Sequence, residues 1–159
     1  MSVKHEITIS TVLSELEEAK ESASRYGWSI SELDENNIRF TVKMQSPIDK
    51  EIYVIEFQLD NYPEWPPAIE FIHPSTNARG VKSAYPSNKK YGGFFHTKPC
   101  ICNPCSRLAY KDFKSLHPTW DMSGWKNNPK VGSLTRIVSI LEAIYFRINN
   151  KEIYNGRMG

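Results

Sequence analysis

Apolar positions along the chain fall into helical and strand-like runs separated by polar turns. In residues 10–26, Val12, Leu13, Leu16, Ala19 and Ala23 recur at spacings of three and four, which predicts an amphipathic helix. Ser10 or Thr11 can cap its start, and Gly27 follows its end. Three strand-like runs come next. Residues 28–33 form a short one. Residues 37–44 alternate, with Ile38, Phe40, Val42 and Met44 on one side, and residues 51–59 alternate through Ile52, Val54, Ile55, Phe57 and Leu59. Asp34, Glu35 and Asn36 supply one turn, and Ser46, Pro47 and Asp49 another. A fourth strand over residues 68–72 follows a proline-rich turn. The order is a helix and then an antiparallel meander, an α+β arrangement.

From residue 73 to 128 the periodicity fades and Gly, Pro, Asn, Lys and Ser dominate. So long an irregular stretch inside a domain usually carries function. Periodicity returns at residue 133, where Leu134, Ile137, Val138, Leu141, Ile144, Tyr145 and Ile148 form an apolar stripe suited to packing on the sheet. The tail after residue 149 is polar and ends Gly156-Arg157-Met158-Gly159. These features predict one domain over residues 1–159, with a core at about 10–150 and a polar tail at 150–159.

Composition narrows the class. The 20 basic and 18 acidic residues give a net charge of +2, which offers no electrostatic case for nucleic acid or membrane as a partner. No apolar run approaches the ~20 residues that span a bilayer, and residues 1–10 lack the apolar core of a signal peptide. A cytoplasmic protein is expected. The three cysteines, Cys100, Cys102 and Cys105, lie within six residues, and in a reducing compartment such a cluster means metal, catalysis or redox sensing.

The segment Tyr62-Pro63-Glu64-Trp65-Pro66-Pro67 holds three prolines in six residues, so several φ angles are fixed and three backbone donors are missing. It must be a rigid corner. A helix, three strands, this motif and a short strand ending near Phe71 together resemble the ubiquitin-conjugating enzyme family. The resemblance covers residues 10 to about 150, and it implies a cis Tyr62-Pro63 bond. Downstream, Ile101-Cys102 matches the apolar residue before the family's nucleophile. Trp125 followed by Ser133-Leu134-Thr135 matches its helix start, with a longer spacer. The family's His-Pro-Asn is altered here: His73-Pro74 is followed by Ser75 and Thr76, Asn77 is offset, and the cysteines lie far beyond.

The resemblance implies a fold of N-terminal helix, four-stranded antiparallel meander, long active-site loop and C-terminal helix. It implies that Cys102, with Cys100 as its competitor, forms a thioester with the C-terminus of a protein cargo and passes it to an amine. The 101–110 run looks more like divergent bacterial members found in anti-phage (CBASS-type) signalling or ubiquitin-like modification operons. The cargo is then a cyclic-oligonucleotide synthase or a ubiquitin-like protein, with a separate activating enzyme as a further partner. No nucleotide-binding glycine loop is present, so the chain should not activate a carboxylate with ATP itself, and no cofactor is expected.

The residues leave the chemistry of the cluster open. A thiolate suits acyl exchange because sulfur attacks and leaves readily. His96, Lys98 and Arg107 flank the cluster and can supply positive charge; His96 can instead accept a proton from the incoming amine. Asp112 or Asp121 can orient a target lysine. The rival reading is zinc on His96, Cys100, Cys102 and Cys105 in an interaction module, although four ligands from one short loop are sterically hard to arrange. A non-catalytic adaptor and a regulatory cysteine pair are further rivals. Cys105 alone reads as a buried small hydrophobe, and His73 and His117, each before a proline, read as turn residues.

Overall fold

The first helix starts earlier than its apolar stripe suggests. The computed structural model describes residues 2–90 and 93–159. In it, α1 covers His5–Tyr26 and is entered at Lys4 without a side-chain cap, so Ser10 and Thr11 lie inside it. The extra turn is held from outside. The Thr8 hydroxyl donates to the Tyr62 carbonyl at 2.8 Å, and the Val3 N–H donates to Asn61 Oδ1 at 2.6 Å. The buried face is Thr8, Val12, Glu15, Leu16, Ala19, Ser22 and Ala23. Leu13 lies off that stripe and is 43% exposed. Gly27 ends the helix at φ 79, the left-handed conformation that costs glycine least.

Strands β1 (Ser29–Ile30), β2 (Arg39–Gln45), β3 (Ile52–Gln58) and β4 (Ala68–Ile72) form a four-stranded antiparallel sheet in sequence order. Register follows the period-two pattern: Phe40 faces Phe57, Val42 faces Ile55, and Ile55 faces Phe71. Phe40, Val42, Met44, Tyr53, Ile55, Phe57, Ile69 and Phe71 are all buried. Ile38 lies outside β2, at φ 50, with its side chain still in the core. Elsewhere in the sheet Glu56 stands opposite Glu70. Two like charges so placed repel. Arg79 bridges them, at 2.8 Å to Glu56 and 2.9 Å to Glu70.

The irregular stretch is folded in short pieces. They are β5 (Pro86–Asn88), the hairpin β6 (Phe95–His96) with β7 (Cys100–Ile101), and several 3-10 turns. Helix α2 covers Ile137–Ile148, four residues later than the stripe predicts. Its start is set by tertiary contacts. The buried Glu15 carboxylate of α1 accepts from Ile137 N at 2.9 Å and from the Tyr62 hydroxyl at 2.7 Å. It therefore sits where the helix dipole favours an anion. Leu134, ahead of the helix, still packs against the core.

The tail is not the separate polar extension its composition suggests. Tyr154–Arg157 forms β8 and pairs with β5, and Met158 is buried. Polar side chains make the attachment: Arg157 donates to Ile52 O, Ser83 O and Glu51, and Tyr154 donates to Asp49. One cluster of buried side chains runs from Val12 to Met158. Among the described residues no helix is long and apolar enough to cross a membrane.

The 62–67 corner lies between α1, the sheet and the irregular half. Its Tyr62-Pro63 bond is cis. Its prolines donate nothing, yet its carbonyls are satisfied from elsewhere. Pro63 O accepts from Trp125 Nε1 at 2.9 Å, Pro66 O from Arg107 Nε at 3.1 Å, and Pro67 O from Arg107 N at 2.9 Å. Arg107 also reaches Asp60, at 2.8 Å to its carboxylate and 2.8 Å to its carbonyl. Buried acceptors left unpaired would cost about 1–3 kcal/mol each, so this side-chain scaffold is what makes a proline corner stable inside the fold.

Candidate active site

The β6–β7 hairpin fixes the approach to Cys102. His96 pairs with Cys100 and Phe95 with Ile101, and the Cys102 N–H then donates to Phe94 O at 2.8 Å. Cys100 and Ile101 are fully buried, whereas Cys102 is half-buried. Next comes a tight turn. Asn103 Oδ1 accepts from Cys105 N at 2.9 Å, and Asn103 O accepts from Ser106 N at 3.0 Å. Such a side-chain turn is what asparagine favours. It swings Cys105 into the core, and Tyr110 secures it by donating to Pro104 O at 2.8 Å.

The Cys102 sulfur lies 3.2 Å from Nε2 of His117. His117 is carried by the loop after Tyr110, whose backbone pairs with it. Its ring is stacked flat on Trp120, with centroids 3.6 Å apart and planes 9° from parallel. Trp120 in turn meets the edge of Tyr110. The imidazole is therefore oriented by an aromatic face on one side and by sulfur at its tip.

Burial pushes the Cys102 thiol above its ordinary range, and the Lys130 ammonium pulls the other way. Burial, then Lys130 and His96, hold the His117 imidazole below its usual range. The resting pair at neutral pH is thus a neutral thiol beside a neutral imidazole. The other two thiols are pushed up to about 12 by burial. Of the three sulfurs, only Cys102 combines exposure with a basic neighbour.

His96 pairs with Cys100 across the hairpin and acts electrostatically on His117. Its Nδ1 accepts from Lys98 N at 2.9 Å, within its own turn. Arg107 is spent on the corner, and Lys98 acts electrostatically on Cys100. Asp121 accepts from Ser123 N, which caps the 3-10 turn Met122–Asn127. Asp112 and Asp121 line a hollow of about 330 Å³ with Tyr110, Trp120 and Trp65. His73 forms the turn expected of it, accepting from Ser75 N and Thr76 N.

The four side chains of the zinc reading are not gathered at one point. Cys105 is turned into the hydrophobic core, and among the described residues no three His, Cys, Asp or Glu side chains converge to hold a metal ion. His117 is the residue that sequence reasoning read as a turn. Two signals pointed to it: it is one of only four histidines, and a tryptophan follows three positions later.

Comparison with known proteins returns no match: no family model, no curated protein and no solved structure aligns significantly with the chain.

Proposed function

We propose that this chain is a ubiquitin-conjugating-type acyl carrier in which Cys102 accepts the activated C-terminus of a protein as a thioester and passes it to an amine. The observation that carries the reading is the contact of the half-exposed Cys102 sulfur with His117 Nε2 at 3.2 Å. It is supported by the helix–meander order and by the proline-rich corner over residues 62–67 that follows it. His117 takes the thiol proton as Cys102 attacks the incoming thioester and hands it to the donor's sulfur, which leaves as a thiol. In the second step the amine attacks the Cys102 thioester carbonyl. The carbon–sulfur bond breaks, and His117 takes the proton the amine releases and passes it to the departing Cys102 sulfur. The hollow of Asp112 and Asp121 beside Trp120 would draw in a cationic amine.

On this reading the cargo is a cyclic-oligonucleotide synthase or a ubiquitin-like protein, delivered by an activating enzyme, in anti-phage defence. The test mixes the purified chain with a candidate cargo, an activating enzyme and ATP. A cargo adduct that thiol reductant removes is expected on wild type. On Cys102→Ser the expected adduct is an oxyester that resists reductant. Binding without any adduct in either protein would leave an adaptor in place of an enzyme.

A further inference from the structure

The turn that follows the nucleophile is tied to the backbone of a lysine. Asn103, the residue after Cys102, donates through Nδ2 to the Lys130 carbonyl at 3.2 Å. Lys130 is held in the short 3-10 turn Pro129–Val131. The turn is capped by Asn128 Oδ1, which accepts from Lys130 N at 3.0 Å, and it is anchored by buried Val131. Its backbone is thus fixed one hydrogen bond from the active-site strand. Its side chain is exposed, on the rim of a groove of about 520 Å³ shared with Asn103, Leu134, Glu142, Phe146 and Arg147. Among the described residues no carboxylate pairs with it, whereas Arg79, Arg107, Arg136 and Arg157 all have carboxylate partners.

We propose that Lys130 is a self-acylation site, taking the acyl group from Cys102 of the same chain and keeping it as a stable amide. The inference rests on the thioester reading above. The Lys130 Nζ attacks the thioester carbonyl, a carbon–nitrogen bond forms, and the carbon–sulfur bond breaks. The amine's proton passes to His117 Nε2 and from there to the departing Cys102 sulfur, so no further reactant is needed. Both Cys102 and His117 feel the Lys130 charge, while Lys98 and Lys114 act on Cys100 instead. A lysine on a flexible four-carbon stem beside a fixed thioester reacts with the advantage of an intramolecular step. The modified site would have lost a cation that acts on both Cys102 and His117 and gained a group on the groove rim.

The experiment needs no natural cargo. Purified protein is mixed with a benzyl thioester of a short peptide ending in glycine. Intact mass is followed with and without hydroxylamine, and adducts are mapped by proteolysis. A hydroxylamine-labile adduct on Cys102 should appear first. It should convert to a stable adduct on Lys130 at a rate independent of protein concentration, about tenfold above any other lysine, as effective concentration requires. Cys102→Ala should lose both adducts. Lys130→Arg, which keeps the charge, should accumulate the labile adduct and lose the stable one. A labile adduct that hydrolyses, or that spreads evenly over surface lysines, overturns the self-acylation site and spares the thioester reading. Absence of any labile adduct overturns both.

Discussion

At the 62–67 corner, every hydrogen bond described is internal: the Tyr62, Pro63, Pro66 and Pro67 carbonyls accept from Thr8, Trp125 and Arg107. Between Cys102 and His117 the arrangement is the reverse. The Cys102 sulfur and His117 Nε2 meet one another, and the aromatic face of Trp120 orients the imidazole. Both regions are short, irregular and rich in proline. The difference teaches that irregular backbone is held in two ways here. In one, four carbonyls of a proline-rich corner are paired by groups from α1 and the irregular half. In the other, a half-buried thiol and an imidazole are set against one another. Changes at the corner should therefore alter stability and leave thiol chemistry alone, and changes at the pair should do the opposite.

The largest break in that contrast is Trp125→Ala. Trp125 is 1% exposed and holds the corner through Pro63 O. Removing so large a buried side chain costs about 3–5 kcal/mol. Denaturant unfolding should show it, while the rate at which iodoacetamide modifies Cys102 in the folded protein stays unchanged. Loss of Cys102 reactivity at low denaturant would mean that the two regions are one unit. Arg107→Met comes next. It strands the Pro66 and Asp60 carbonyls inside the fold, at about 2–3 kcal/mol. A cost near zero would show that Arg107 is ornamental to the corner.

Legibility divides along the same line. The corner could be read from the sequence because proline acts locally, whatever surrounds it. The buried face of β2 could be read because alternation is local too, whereas in β3 the buried face is Tyr53, Ile55 and Phe57, and Ile52 and Val54 of the predicted run lie off it. The start of α2 could not, since the carboxylate that meets Ile137 N comes from Glu15, 122 positions away. His117 was hidden for the same reason: its tie to Cys102 spans 15 positions with a loop between. The tail misled because its anchors are polar. Tyr154 and Arg157 attach through hydrogen bonds and a ring contact with Tyr53, which no apolar pattern announces. Of the site, the identity of the half-exposed cysteine was accessible from Ile101-Cys102. Its partner was not.

His117→Ala sharpens the contrast from the other side. Iodoacetamide should label Cys102 ahead of Cys100 and Cys105, whose burial keeps both thiols protonated. The Cys102 rate should climb with pH through the alkaline range, because burial raises its thiol. No acid-side plateau is expected, since the resting pair is neutral. His117→Ala should slow labelling by about tenfold near neutrality through loss of the proton acceptor, with little change in unfolding free energy. Equal labelling of wild type and variant would separate the imidazole from the chemistry.

The smallest effect is the acid-side linkage of His117. Its folded pKa is depressed, so the folded state holds that proton less tightly than the unfolded chain does. The stability this provides is present above the unfolded value of about 6.5 and is lost as pH falls through the folded value. Other carboxylates also titrate on this side, so the measurement is a difference: unfolding free energy of wild type minus that of His117→Gln, from pH 8 to pH 5. Loss of the Trp120 stack contributes an offset that does not vary with pH. The titration contributes a slope, with wild type losing its advantage as the solution is acidified. A flat difference would place the imidazole in water rather than in the half-buried contact with Cys102, and the reactive pair would lose its basis.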